Sequence, residues 1–179
     1  MVIMTYEQLL ETAELRLRAL EPSDEELLYL WENNTKIWQV SSTIAPFSRQ
    51  MLHDYIEAAQ TDIYAAKQLR LMIEDKSTRE TVGAIDLYDF DAHNRRAGIG
   101  IFVAEQFQHK QFATKALDCL LTYCRSMLLL HQTYVEIPVG NTISISLFSK
   151  AGFQQVGIKK DWLIHETGYE DVIVMQKIL

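Results

Sequence analysis

From Leu15 to Leu20 the chain alternates Leu15, Leu17 and Ala19 with Arg16, Arg18 and Leu20, which predicts a half-buried strand stopped by Pro22. Ser23 with Glu26 three residues later reads as a capping box, and Leu27, Leu30 and Trp31 give the apolar stripe of a helix that fades at Asn33-Asn34. Trp38 to Phe47 reads as loop, and Ser48 opens a second amphipathic helix carrying Met51, Leu52, Tyr55 and Ile56 on one face. Two N-terminal helices are therefore expected.

A meander follows. Leu69–Glu74 reads as a strand, Asp75–Glu80 as a polar turn, Val82–Phe90 as a second strand, Asp91–Asn94 as a turn and Arg95–Phe107 as a third strand. The period then switches from two to 3.6: Phe112, Ala113, Ala116, Leu117, Leu120, Leu121 and Cys124 predict a helix from about Ala113 to Leu129. Tyr134–Val139 is a strand ending at Gly140-Asn141, and Thr142–Ala151 is a short helix with Gly152 placed as a left-handed cap. Phe153–Ile164 and Tyr169–Ile178 form a hairpin over the turn His165–Gly168. The order β-α-α-β-β-β-α-β-α-β-β implies a single mixed α/β domain over residues 1–179, with 1–13 as an N-terminal extension and helices on both faces of one sheet.

Composition narrows the class. At 179 residues with 48% hydrophobic and 23% charged positions, the chain reads as an ordinary globular domain that buries a core without needing a disulfide or a metal. Asp and Glu outnumber Lys and Arg by 24 to 17, a net charge of -7, which argues against nucleic acid as a partner and suits a cationic one. No apolar run reaches membrane-span length and the N-terminus lacks signal-peptide character, so a cytoplasmic protein without a membrane partner is expected. Cys119 and Cys124, five apart on a helix, match no zinc or redox spacing, and His53, His93, His109, His131 and His165 stand singly, so no metal is expected.

The segment Val103-Ala-Glu-Gln-Phe-Gln108-His-Lys-Gln-Phe-Ala113-Thr-Lys115 joins a strand end to a helix start. Backbone N–H groups and the positive end of a helix dipole suit a diphosphate at such a place, and Lys110 and Lys115 add charge; a plain solvated connection has the same spacing. Gln108-His-Lys-Gln111-Phe-Ala113 resembles the loop Gln/Arg-x-x-Gly-x-Gly/Ala of the GNAT acetyltransferase superfamily at its first and last positions. Asn141-x-x-Ser144-Ile-Ser-Leu-Phe148-Ser-Lys-Ala-Gly152-Phe153 is similar to its Asn-x-x-Ala-x-x-Leu-Tyr-x-Lys-x-Gly-Phe. With Leu15–Leu20, Asn94-Arg-Arg-Ala97 and the final hairpin, the resemblance to the polyamine and ribosomal-protein N-acetyltransferase branch covers most of the chain.

The resemblance implies acetyl-CoA in a V-shaped gap between splayed strands containing Phe102 and Tyr134-Val135. It implies cofactor contacts from Phe102 and Val103, from Gln108, His109, Lys110, Gln111, Phe112, Ala113 and Thr114, and from Asn141, Phe148 and Lys150. A primary amine, of a small polyamine-like molecule or a protein N-terminus, would attack the thioester directly, and relatives often pair as homodimers. Three positions depart from the pattern: Gln111 replaces the loop glycine, Phe148 the tyrosine that protonates the thiolate, and Gly98 the carboxylate of polyamine acetyltransferases. Ser144 then stands as the candidate hydroxyl or as a helix-capping residue, and Asp86 as a base reached through water or as a solvated aspartate. Asp89 and Glu136 are expected to capture the amine along with Asp171, and Trp31, Trp38 and Tyr55 wall its pocket or serve the core. The rival expectation is a CoA-binding module that kept the fold after losing its acid and base.

Overall fold

The computed structural model describes residues 5, 9–41, 43–165 and 168–179. Seven strands form one sheet in the order β1-β2-β3-β4-β5-β7-β6: β1 (Leu15–Ala19), β2 (Leu69–Asp75), β3 (Thr81–Asp91), β4 (Arg96–Val103), β5 (Gln132–Pro138), β6 (Gln154–His165) and β7 (Gly168–Ile178). Every neighbouring pair is antiparallel except β4 and β5, which are parallel and joined by the long helix α5 (Phe112–Ser126). Four helices lie between β1 and β2: α1 (Glu25–Glu32), α2 (Thr35–Ser41), α3 (Arg49–Ala58) and α4 (Ile63–Ala66). A sixth, α6 (Thr142–Lys150), follows β5.

The strand alternation sorts the core onto two faces. Odd positions such as Leu15, Leu17, Ile73, Ile85, Leu87 and Ile99 pack with Ala116, Leu117, Leu120 and Phe148 of α5 and α6. Met72 and Ala84 point the other way and meet Leu28 of α1 with Leu52 and Ile56 of α3. Leu28 and Leu52 are almost completely buried, so truncating either to alanine would cost about 2–5 kcal/mol. The mixed α/β architecture with helices on both faces agrees with the sequence pattern. Leu9 and Leu10, expected within an N-terminal extension, are buried in the α5-side core; residues 1–4 and 6–8 of that extension lie outside the described residues.

Several local expectations need correction. The capping box sits at Glu21 and Asp24 rather than at Ser23 and Glu26: Pro22 starts a short 3-10 turn, and the Asp24 carboxylate accepts from the Glu21 N–H at 2.9 Å. Arg18 fixes that carboxylate with two 2.7 Å hydrogen bonds. The stretch expected to be loop from Trp38 begins inside helix α2, whose start is set by Asn34 Oδ1 accepting from the Lys36 N–H. Helix α4 is an extra turn capped by Asp62, which accepts from the N–H groups of Tyr64 and Ala65. Ser48 does cap α3, accepting from the Met51 N–H. Strand β4 ends at Val103, because a 3-10 turn takes over at Glu105–Phe107. Helix α5 stops at Ser126, ahead of Leu129, whose φ is +51°. The final hairpin is present, its first strand shifted by one residue to Gln154–His165 and its second starting one residue earlier at Gly168, with residues 166–167 lying outside the described residues. Among the described residues no helix is long and apolar enough to cross a membrane.

Candidate active site

Strands β4 and β5 pair only at Arg96↔Gln132, Ala97↔Thr133 and Gly98↔Tyr134, and then diverge. Each is held on its outer side: β4 pairs with β3 as far as Val103, and β5 pairs with β7 along its whole length to Pro138. The gap therefore cannot close by one strand swinging over. Main-chain groups of residues 99–103 and 135–138 face into it without a ladder partner from the opposite strand. This is the V-shaped opening expected around Phe102 and Tyr134-Val135.

At its wide end the chain passes through Glu105–Phe107 and Gln108 into α5. His109 and Gln111 both take φ of +64°, so the loop keeps the left-handed turn usual for glycine although Gln111 occupies that place. The first intrahelical bond joins the Lys115 N–H to the Gln111 carbonyl, and no side chain caps the helix. The N–H groups of Phe112, Ala113 and Thr114 thus open the helix ahead of any internal acceptor, the arrangement that binds an anion. Gln108 braces the loop by donating to the Val103 carbonyl at 3.2 Å. A depression of about 530 Å³ beside this turn is lined by Lys76, Lys110, Phe112 and Lys115, with Glu14 pairing Lys115 at 3.0 Å. The loop carries the left-handed turn and the unpaired amides that a diphosphate needs, so these residues fit the CoA expected of them.

Of the other expected cofactor contacts, Asn141 caps α6 by accepting from the Ser144 N–H at 3.1 Å, and Lys150 is exposed at the helix end. Phe148 is 1% exposed with its ring edge-on to Phe153, so it serves the core. Ser144 and Asp86, the two expected catalytic side chains, are not brought together: α6 packs on the α5 side, whereas Asp86 shares its face with α1. Nor is Asp86 an unpaired base. Arg70, its register partner on β2, donates to both its oxygens at 2.7 and 3.2 Å and to Glu32 Oε1 at 2.6 Å. Burial opposes the Arg70 charge, but the two carboxylates and the Tyr55 ring beneath it overcome that and raise its pKa. The triad ties α1 to the sheet.

The α1 face of the gap is aromatic and acidic. Trp31 meets Phe102 edge-on at 4.9 Å, Tyr55 lies against Arg70 at 5.3 Å, and Trp38 donates to the Glu32 carbonyl at 2.6 Å. Gly98 ends the β4–β5 ladder, and Tyr88 covers it: a Cβ added there would stand 2.2 Å from the Tyr88 ring. Tyr134 packs edge-on to Tyr88 at 5.7 Å and donates to Asp89 Oδ2 at 3.1 Å. A bulge after Tyr88, with Asp89 at φ +49°, turns that carboxylate toward Tyr134. Burial first, then Asp89, push the Tyr134 hydroxyl up to about 12. Beyond lies a cavity of about 620 Å³ lined by Asp89, Asp91, Arg96, Tyr134, Glu136 and their neighbours on β7. Asp91 pairs with Arg96 at 3.2 Å and Glu136 with Lys159 at 2.5 Å. Asp171, the remaining carboxylate considered, pairs with Lys160 at 2.6 Å. Cys119 and Cys124 are buried, which raises their thiols to about 11 and 12.

Glu32, Arg70 and Tyr88 are site residues that sequence reading did not single out, and Tyr134, expected there only as part of a splayed strand, joins them as the partner of Asp89. Their signal was the alternation itself, since positions 84, 86 and 88 share a face and the short hairpin sets Arg70 opposite Asp86.

Comparison with known proteins bears on the same features. The spermidine N(1)-acetyltransferase of Vibrio cholerae is 26% identical over 160 residues, covering 89% of this chain and 90% of that protein. An uncharacterized N-acetyltransferase, p20 of Bacillus licheniformis, is 27% identical over 154 residues and 86% of each chain. The crystal structure of the Vibrio cholerae spermidine N-acetyltransferase in complex with CoA and spermine superposes with a TM-score of 0.85 at 25% identity, covering 93% of this chain and 96% of that one. Residues 14–154, which run from the first strand through the diphosphate loop to the last hairpin, match the acetyltransferase (GNAT) domain. With its splayed strands and loop conformation in agreement, the chain belongs to the GNAT acetyltransferase family and is an acetyl-CoA-dependent N-acetyltransferase.

Proposed function

We propose that this chain acetylates a primary amine of a small polyamine. The observation that carries the reading is the cavity of about 620 Å³ on the α1 face, where Asp89, Asp91 and Glu136 outnumber the single lining cation, Arg96. It adjoins the narrow end of the gap through Tyr134, which contacts both Asp89 and the Tyr88 ring. A polycation gains charge-assisted hydrogen bonds there and displaces the Lys159 ammonium from Glu136.

Acetyl-CoA supplies the activated acetyl thioester. On the α5 side, the N–H groups of Phe112, Ala113 and Thr114 bind its diphosphate, Lys110 contributes charge from the same turn, and the bare edges of β4 and β5 hold its arm. The acceptor enters from the α1 side, so the sheet separates the two binding surfaces and the gap joins them. Asp89, fixed by Tyr134, receives the ammonium and its proton, while Glu136 holds a second amine farther along. Asp86 orients Arg70 and α1 and does not take the proton itself. Trp31 and Phe102 wall the acceptor's path and exclude water from the reacting atoms. The relatives named for spermidine acetylation support the same acceptor class. Exposed Trp162, Ile164 and Tyr169 on the last hairpin support pairing into a homodimer, checked by sedimentation.

A thiol-release assay with spermidine, spermine, an aminoglycoside and peptides with free N-termini tests the reading. Turnover of spermidine and spermine above the others is expected. Turnover of peptides alone would transfer the activity to protein N-termini, and acetyl-CoA binding without any turnover would leave only the non-catalytic module.

A further inference from the structure

Phe148 stands where the family pattern has the tyrosine that protonates the thiolate, and it has no proton to give and is sealed in the core. We propose that Tyr88 supplies that proton instead, its hydroxyl standing at the apex of the gap between β4 and β5. The inference rests on the acetyltransferase reading above and deepens it by naming the acid.

The placement follows from the strands. The diphosphate loop lies past Val103 and the strands converge at Gly98, a run of roughly 17 Å at about 3.3 Å per residue. An arm anchored at the loop therefore points its thioester toward the apex. There Cε2 and Cζ of Tyr88 are the ring atoms nearest Gly98, which puts the hydroxyl-bearing edge of the ring over the last paired residue. Tyr134, the β5 residue paired with Gly98, packs its ring edge-on to Tyr88 at 5.7 Å, which sets the phenol between the two strands where they part. The absence of a side chain at Gly98 is what admits the ring, so the position that lacks a carboxylate makes room for the replacement acid.

The charged and titratable groups facing Tyr88 are Asp89 on its own strand and Tyr134 and Glu136 on β5. Burial first, then these neighbours, raise its pKa, so the hydroxyl stays protonated through neutral and mildly alkaline pH and acts as a donor rather than a base. As the N–C bond forms and the C–S bond breaks, sulfur takes the Tyr88 proton. Asp89, having passed the ammonium's first proton to solvent, takes the proton shed by nitrogen and returns it through water to the Tyr88 oxygen, leaving amide, thiol and one released proton.

The test is Tyr88→Phe, assayed with spermidine and checked by melting and by acetyl-CoA calorimetry. A roughly 10²–10⁴-fold loss of kcat with unchanged KM for acetyl-CoA is expected. Wild-type kcat in the folded variant overturns the inference and leaves the acetyltransferase reading intact; a wild-type protein that acetylates no amine overturns both. Should Tyr88→Phe fail to fold, a fluorinated tyrosine introduced at position 88 keeps the ring and acidifies the phenol. The alkaline limb of kcat should then move to lower pH, and an unmoved limb rejects Tyr88 as the acid.

Discussion

Replacing Gly98 with alanine probes the fit between β4 and the Tyr88 ring. The added methyl would sit 2.2 Å from Cε2, 2.3 Å from Cζ and 2.7 Å from Cδ2, against an ordinary contact distance of about 3.5–4.0 Å. The ring must retreat by more than an ångström, and the edge-on Tyr134 ring, its centroid 5.7 Å away, stands beside it. Gly98 does not have a positive φ, so the backbone itself accepts alanine and any penalty comes from the clash. Overpacking of this kind costs about 1–3 kcal/mol. For a chain of this size that lowers Tm by roughly 2–12 °C. Because a 1 Å misplacement of a reacting group can cost about 10²-fold, kcat with spermidine should fall by that order while acetyl-CoA affinity holds. In a Tyr88→Ala background the Gly98→Ala penalty on Tm should vanish, as two coupled positions require. Wild-type Tm and kcat in Gly98→Ala, or a penalty that persists without the ring, would refute the steric argument.

Gln111→Gly should relieve about 1–2 kcal/mol of left-handed strain against about 0.5–1 kcal/mol of added chain entropy. Scanning calorimetry should show Tm raised by roughly 1–4 °C, whereas a lowered Tm would mean that the glutamine side chain stabilises the loop. Arg70→Met leaves Glu32 and Asp86 facing each other without a cation and should cost about 3 kcal/mol; Glu32→Gln and Asp86→Asn added to it should recover much of the loss in denaturant titrations. Tyr134 titrates near 10 when unfolded and near 12 when folded, so between those values the folded state keeps a proton that the unfolded state sheds. Its contribution is complete below pH 10 and declines as pH rises to 12. Tm measured across that window should fall less steeply in Tyr134→Phe, and equal slopes would assign the loss to other groups.

Strand positions, the long helix and the diphosphate loop were legible because each follows a local rule: alternation in β1–β5, a 3.6 period in α5, and spacing from Gln108 to Ala113. The N-terminal helices were less so. Helices α2 and α4 are single short stretches started by one side chain each, Asn34 and Asp62, with too few residues for a period to emerge. The site was legible where it is built from contiguous residues and obscure where it depends on register. Asp86 looked like a base or a solvated residue until its pairing with Arg70 was visible, and that pairing is set by the β2–β3 hairpin and its bulge at Glu74. Tyr88 was hidden for a related reason: its neighbours Gly98 and Glu136 come from strands that meet only in the fold. Gln111 showed as a departure, but only the backbone reveals that it keeps the left-handed turn of the glycine it replaces.

A crystal structure of the protein grown with CoA and spermine examines the division of labour across the sheet most directly. Density for the arm should run between residues 99–103 and 135–138 with its sulfur at the Tyr88 hydroxyl, and spermine should lie along Asp89 and Glu136 on the α1 face. CoA bound elsewhere, or spermine on the α5 face of the sheet, would contradict the arrangement derived from the splayed strands.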